Sequence, residues 1–396
     1  MRPVFCLLFI LLMCQIQSQP SIKVYNKANS GLPSDTVNSI AFQSDGKMFI
    51  GTNAGIAFFD GQDWSVLNRR NGPLPGDTVL VIYIDRWGHQ WYCTNNGILM
   101  FNGYQYNFYN LSAQGIVIKT FCSIALDFSN TLWIGSCETD LVCSFDGAHW
   151  TSYNLSTIGL PTSRIKQIII ANDSTKWIAA NGSGIMQYND NTWNIWVKAT
   201  SGIPDNFSSC ITIDHEGNKW IATYYKLMKT DPELTNWTVI HSIFDSRALV
   251  IDKKGVLWAG AYGTGLFDYD GKNWRQDTGL PDKYVKCLAI DKQGNKWIGT
   301  QKGLVCYHEG ASGVEENDPA CPHISVYPNP ASEVLNIRCE ERAATACIHS
   351  IRGEALRTIS LKPGLTQVEI RSLPEGMYLL KITGEGFTRT LKFAKH

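Results

Sequence analysis

The sequence predicts an all-β protein: a seven-bladed β-propeller with four-stranded blades, closed by its own amino-terminal strand and followed by a small β-sandwich. Three observations predict it. An aromatic strand recurs seven times, each recurrence sits among four short strand-like pieces, and the two ends of the repeat array complement each other. The clearest copy is IDKQGNKWIGTQKGLVCY at 290–307. The aligned cores read MFIGTNAGIAFF, WYCTNNGILMF, LWIGSCETDLVCSF, KWIAANGSGIMQY, KWIATYYKLMK, LWAGAYGTGLFDY and KWIGTQKGLVCY. Their anchors Phe49, Trp91, Trp133, Trp177, Trp220, Trp258 and Trp297 are 42, 42, 44, 43, 38 and 39 residues apart.

Within each unit the first piece is an apolar run ending at Asp, as in CLAID (287–291) and CITID (210–214). A DxxG turn follows, with Asp capping its own backbone and Gly taking positive φ. The aromatic strand comes next, then a polar turn, a third strand such as GLFDYD (265–270), and a DGxxW hairpin whose Trp opens the fourth. Eleven of the thirteen Trp fall in this register, and Trp87 and Trp196 are the exceptions. So many are expected to fill the space between sheets.

Blades around an axis explain the ends better than a solenoid, which keeps polar caps. The seventh unit stops after its third strand, near Tyr307–Gly310. At the other terminus, SIKVYNKANSGLP (21–33) matches the fourth strand and loop WTSYNLSTIGLP (150–161). Ile22–Asn26 is therefore expected to complete the last blade and leave no open edge. Blade five departs most, with DPELTNW (231–237) in place of DGxxW.

Composition excludes several classes. Lys+Arg and Asp+Glu are equal at 35 each, without basic runs, so neither nucleic acid nor an anionic membrane is an expected partner. The chain is 44% hydrophobic and 18% charged, as expected of a globular protein with a large core. Residues 1–18 read as a signal peptide: Arg2, the apolar run Val4–Met13, then Ser18. Ten apolar residues are too few to span a bilayer, and the mature chain is expected to carry no transmembrane segment. Cys14 raises lipidation, although Met13 stands where a small residue is wanted.

Cys137 with Cys143 and Cys339 with Cys347 lie close enough in sequence to bridge hairpins in an oxidising compartment. The alternative is that most cysteines are small core residues. Cys210 and Cys287 occupy the repeat position of Ser39, which favours it.

No catalytic constellation emerges, and no cofactor or metal is expected. The eight His form no HxH, HExxH or HxxxH, and GAYGTG (260–265) lies between two strands. DxxG is too short for a calcium loop, so Asp252 and Asp291 read as turn caps. Propellers usually bind where the loops into each first strand meet the turns after the aromatic strand. Those loops carry Asp35, Asp77, Arg164, Asp205, Asn206, Asp282 and Tyr284, and the turns carry Asn95, Asn96, Tyr224, Tyr225 and Tyr262. Of these, Asp35, Asp77, Arg164, Asp205, Tyr224, Tyr225, Tyr262, Asp282 and Tyr284 are the candidate ligand-binding residues. Tyr faces with Asp and Asn around a funnel suit sugar hydroxyls, although polar surface loops and turn-initiating Asp are common in themselves.

The pattern IDKQGNKWIGTQKGL resembles the two-component-regulator propeller repeat of Bacteroidetes surface and sensor proteins, over about 21–310. In that family such propellers serve as periplasmic sensor domains of hybrid histidine kinases, with carbohydrate as the proposed signal. The membrane helix, kinase and receiver parts are not found in this sequence, so the resemblance does not imply the signalling role.

Residues 311–323, ASGVEENDPACPH, have the composition of a linker. Beyond them a different pattern starts, in which Leu335, Ile337 and Cys339 should share one face of a strand. Further strands are expected at 346–351, 366–370, 377–382 and 387–393, enough for a small sandwich over 324–396. This module resembles the type A sorting domain of the type IX (Por) secretion system. The matching residues are Tyr327, Pro328, Asn329 and Pro330 early, then Leu373, Pro374, Gly376 and Tyr378, before a basic end at 392–396. The resemblance implies export through the periplasm by the type IX machinery, removal of the module by its surface protease, and a secreted or outer-membrane-surface propeller of residues 19–310. The expected function is binding of a glycan or protein partner. The alternatives are a lyase or hydrolase acting on an extracellular polymer, or a scaffold of a surface assembly.

Overall fold

The computed structural model describes residues 21–118, 120–161, 164–242, 245–277, 279–308, 324–327, 331–339, 344–350, 354–384 and 387–395. The expected signal peptide, the expected linker and the sorting-motif residues Pro328, Asn329 and Pro330 lie outside them. Contacts divide the chain into two compact units, Pro20–Glu309 and a second containing Gly310–His396. Among the described residues no helix is long and apolar enough to cross a membrane.

The first unit holds seven four-stranded antiparallel sheets among its described residues. Their first strands are Val37–Phe42, Val79–Ile84, Phe121–Leu126, Arg164–Ile170, Ser208–Ile213, Ser246–Ile251 and Val285–Ile290, and they number the sheets 1 to 7. Six sheets run in sequence order. Sheet 7 takes its fourth strand from Ser21–Tyr25, which pairs antiparallel with Leu304–His308 from Ser21↔His308 to Tyr25↔Leu304. First strands of successive sheets are neighbours, and those of sheets 7 and 1 also touch.

Aromatic residues join the sheets. The second-strand indole of one sheet meets the third-strand ring of the next: Trp133 with Tyr188 at 5.1 Å, Trp220 with Tyr269 at 5.9 Å, Trp258 with Tyr307 at 5.4 Å. Trp297 of sheet 7 meets Phe59 of sheet 1 in the same way, at 6.3 Å. Fourth-strand rings stack on the indole of their own sheet: Tyr109 on Trp91, Tyr153 on Trp133, and Tyr25 on Trp297, all at 5.7–5.8 Å. Tyr25 thus does in sheet 7 what Tyr153 does in sheet 3. Glycine in the WIGT motif makes room for this approach. A Cβ on Gly299 would lie 2.3 Å from Cys287 Sγ and 2.7 Å from Val37 Cγ1 of sheet 1.

The DxxG aspartates do more than cap turns. Oδ1 of Asp252 accepts the amides of Lys254 and Val256, while Oδ2 accepts Trp258 Nε1 at 3.1 Å. The same latch, always six residues long, joins Asp85 to Trp91, Asp127 to Trp133, Asp214 to Trp220 and Asp291 to Trp297. A lysine from the next sheet completes two of them: Lys296 Nζ lies 3.2 Å from Asp252 and 4.5 Å from the Trp258 ring, and Lys176 lies 2.9 Å from Asp127. Burial pushes the Asp252 carboxyl up, but the Trp258 indole, the Val256 amide and the Lys296 ammonium together hold it below the usual range. Asp127 and Asp214 are lowered by the same opposition. A carboxyl depressed by folding adds stability above its unfolded value of about 3.9, lost as pH falls through the folded value. Thermal melts should therefore hold steady near neutrality and fall in acid below pH about 4. Asp252→Asn should melt lower at pH 7 and show a shallower acid limb, and an unchanged limb would contradict the latch.

Each first strand also carries one β-bulge at the same place. The ladders step over Asn38, Leu80, Cys122, Lys166, Ser209, Arg247 and Lys286. Several of these side chains reach the next sheet: Asn38 Nδ2 donates to Val79 O at 3.0 Å and Cys122 Sγ to Ile165 O at 2.8 Å. Ser209 Oγ donates to Ser246 O, and Lys286 Nζ donates to Asn38 Oδ1.

The cysteines differ from the expected pairs. All described cysteines are free thiols. The Cys137 thiol lies beside that of Cys122, within hydrogen-bonding reach and with no disulfide, because the bulge brings Cys122 beside the end of the second strand. Cys143 is buried in the core with Ile134 and Phe145. Cys339 and Cys347 belong to different sheets.

The second unit has a three-stranded and a four-stranded antiparallel sheet among its described residues. Leu335, Ile337 and Cys339 are all buried, as the alternation predicts, with Ala346, Ile348, Leu380, Ile382 and Phe393. The strand Ala355–Leu361, pairing with Ala344–Ser350, was not expected from the pattern. Tyr378 stacks on Phe393 at 5.4 Å and donates its hydroxyl to Pro374 O at 2.6 Å, tying two sorting-motif residues together. Leu373 packs against this core, and Gly376 takes φ 149°, a left-handed value that favours glycine.

Candidate functional site

Backbone bonds gather the loops into each first strand and the turns after each second strand at one end of the sheets. Gly55 N donates to Asp77 O, Gly182 and Gly184 N to Asn206 O, and Gly263 and Gly265 N to Lys283 O. Sheets 5 to 7 are connected continuously. Tyr224 N donates to Phe207 O, Asp245 N to Tyr224 O and Tyr262 N to Asp245 O, and Tyr262 bridges to Tyr284.

This path carries exposed rings. Tyr224 and Tyr225 meet edge to face at 4.8 Å, and Tyr262 meets Tyr284 likewise at 4.9 Å. Phe207 is 49% exposed, Tyr225 56% and Tyr284 44%, so the path presents several rings together to solvent. Arg247 lies 3.8 Å above the Tyr262 ring and is held by Asp245 at 2.8 Å, while Gln301 donates to the Tyr262 hydroxyl. The result is an aromatic arc with a guanidinium, a carboxylate and an amide within it. Such a surface can stack on flat apolar faces and hydrogen-bond hydroxyls.

The structure thus brings together four of the candidates: Tyr224, Tyr225, Tyr262 and Tyr284. The acids are used differently. Asp35 Oδ1 accepts Lys27 N at 2.7 Å, Asp77 Oδ1 accepts Arg69 N at 2.8 Å, and Asp205 Oδ1 accepts Phe207 N at 3.1 Å. Asp35 lines a groove of about 630 Å³ with Lys27, Pro281 and Lys302 between sheets 7 and 1. Asp77 lines one of about 400 Å³ with Arg69, Asn95 and Asn96. Neither groove includes an arc residue. Asp282 is buried and accepts Tyr284 N at 3.2 Å, which positions that ring. Arg164 is exposed at the start of its strand, paired in register with Asn181. Sequence reasoning missed Phe207, Asp245, Arg247 and Gln301. Arg247 had a signal, because it precedes the repeat position already noted for Ser39, Cys210 and Cys287.

Three described histidines of this unit have partners outside the arc. His89 bonds Asp85 at 3.0 Å in a turn at the opposite end, and His308 bonds Asn295 at 2.7 Å. His241 stacks on Trp274 at 4.8 Å.

Comparison with known proteins gives two family matches. Residues 279–302 match the two component regulator propeller, and residues 325–396 match the secretion system C-terminal sorting domain. The sorting domain indicates handling by the type IX machinery and delivery to the cell surface or beyond. No curated protein matches the sequence. Among solved structures, the extracellular domain of a hybrid two-component system from B. thetaiotaomicron aligns at TM-score 0.61 and 18% identity, over 95% of this chain and 57% of that one. PorZ, a surface component of the type-IX secretion system of Porphyromonas gingivalis, aligns at 0.59 and 17%, over 93% and 60%. A virginiamycin B lyase from Staphylococcus aureus aligns at 0.62 and 14%, over 74% and 100%. The chain thus spans about three fifths of the length of the first two. At such identities the shared property is the propeller fold.

Proposed function

We propose that the chain is an exported, seven-bladed propeller, closed by Ser21–Tyr25, that binds a glycan at the aromatic arc. A cleaved signal peptide over 1–18 takes it to the periplasm. The type IX machinery carries it outward through the 324–396 module, which the surface protease then removes, so the propeller acts at the outer membrane or in the medium. The arc carries the glycan reading: Phe207, Tyr224, Tyr225 and Tyr284 stay exposed along a backbone path bonded from Phe207 through Tyr224, Asp245 and Tyr262 to Tyr284. Rigid aromatic faces stack on the C–H face of a pyranose without ordering cost, and Gln301 and Asp245 supply hydrogen-bond partners. A protein partner would use the same rings as anchors.

A glycan array probed with the full chain tests this reading. Binding should appear for a defined set of oligosaccharides and weaken at least roughly tenfold in Tyr224→Ala/Tyr225→Ala. A blank array with folded protein, or binding indifferent to the double variant, contradicts it.

A further inference from the structure

The bulge positions carry chemistry that the glycan reading does not use. Three are cationic, Lys166, Arg247 and Lys286, and none is acidic, in a chain whose charges balance at 35 each. Arg247 and Lys286 stand on the adjacent first strands of sheets 6 and 7. Lys286 is half-buried and Arg247 exposed, and burial, with a smaller part from the Arg247 charge, holds the Lys286 ammonium below its ordinary value. The acids at this end do not neutralise them fully. Asp245 engages Nε and Nη2 of Arg247 and leaves Nη1 out of the pair, while Asp35, Asp77 and Asp205 serve their own loop amides. Buried Asp282 accepts the Tyr284 amide, and Lys286 hydrogen-bonds only the neutral Asn38 side chain among the described residues.

We propose that this ring of bulges binds one anionic group, the carboxylate or sulfate of an acidic sugar, through Arg247 and Lys286, with Lys166 two sheets away. The inference rests on the reading of the arc as a sugar site, and it specifies the ligand as an acidic glycan. The two features are continuous, because Arg247 lies on the Tyr262 ring and Tyr262 packs on Tyr284. A sugar stacked on these tyrosines brings its charged substituent to the guanidinium. Arg offers a planar donor edge suited to a carboxylate or sulfate, and Lys a compact charge beside it.

Calorimetric titration of the full chain separates the possibilities with three probes: trigalacturonate, its trimethyl ester, and a sulfated galactan oligosaccharide. At least one anionic probe should bind about tenfold tighter than the neutral ester and weaken with added salt. Lys286→Gln should remove most of that preference and leave ester binding within about twofold, Lys286→Arg should retain it, and Arg247→Gln, a change within the arc itself, should weaken the anionic probe more than the ester. Equal affinity for acid and ester overturns the proposal. So does an equal loss for both in the charge variants, or no binding of either anionic probe by protein with an intact melting transition. Loss of every probe in Tyr224→Ala/Tyr225→Ala, without charge preference in the parent, keeps the arc and removes the ring. A charge preference that survives in that double variant overturns the arc instead.

Discussion

Replacing Lys296 with alanine is expected to lower stability by about 3–5 kcal/mol, because it strands the Asp252 carboxylate in the interior. Lys296 is 2% exposed and Asp252 4%, and the pair lies over the 3%-exposed Trp258 between sheets 6 and 7. Removing the ammonium leaves a buried charge held only by the Trp258 indole and two turn amides. Replacing both partners, as Lys296→Met with Asp252→Asn, should cost much less, since the buried charges go together. Chemical denaturation of the two single variants and the double variant gives the coupling directly. A loss below about 1 kcal/mol in Lys296→Ala would mean that the pair behaves like an exposed ion pair.

Deleting Ser21–Tyr25 should cost about 5 kcal/mol, which is comparable to the whole stability of many domains. The strand buries Ile22 and Val24 against Trp258, Val285 and Val305, and sets Tyr25 among Phe59, Trp64 and Trp297. Without it, Leu304–His308 becomes an open hydrophobic edge inviting association. A chain starting at residue 27 should melt far lower and aggregate, and a synthetic peptide of residues 19–27 added in trans should restore part of the loss. An unchanged melting curve would show that sheet 7 stands without this strand.

Much of the fold was legible because the repeat imposes one period on six Trp and one Phe anchor. The match of Tyr25 to Tyr153 could be read from SIKVYN and WTSYNL, and in the structure both rings stack on a second-strand indole. Alternation at 335–339 gave the buried face of its strand for the same reason, a period of two over a one-sided core. Side-chain partners between sheets were not legible. The Asp252–Trp258 spacing of six recurs in the sequence, but nothing there shows that the carboxylate turns toward the indole or that Lys296 arrives from the next sheet. Bulges were hidden as well, since a pattern of apolar residues does not reveal one extra residue in a short strand. That is why Cys137 was matched with the nearer Cys143 and not with Cys122. For the candidate site, Tyr224, Tyr225, Tyr262 and Tyr284 were named from loop position alone, and the structure sets them along one path. Asp35, Asp77 and Asp205 look the same in sequence whether an aspartate faces a ligand or its own loop amide.

The most direct measurement is a calorimetric comparison using the strongest sugar from the array. Tyr225→Ala, in the arc, is set against Asp77→Ala, in a loop of sheets 1 and 2, with the full chain as parent. Binding at the arc predicts a loss of roughly tenfold or more for Tyr225→Ala and a change within about twofold for Asp77→Ala, both proteins melting as folded species. Undiminished affinity in Tyr225→Ala, with loss in Asp77→Ala, would place the ligand in the groove of Arg69, Asn95 and Asn96 and contradict the assignment of the arc.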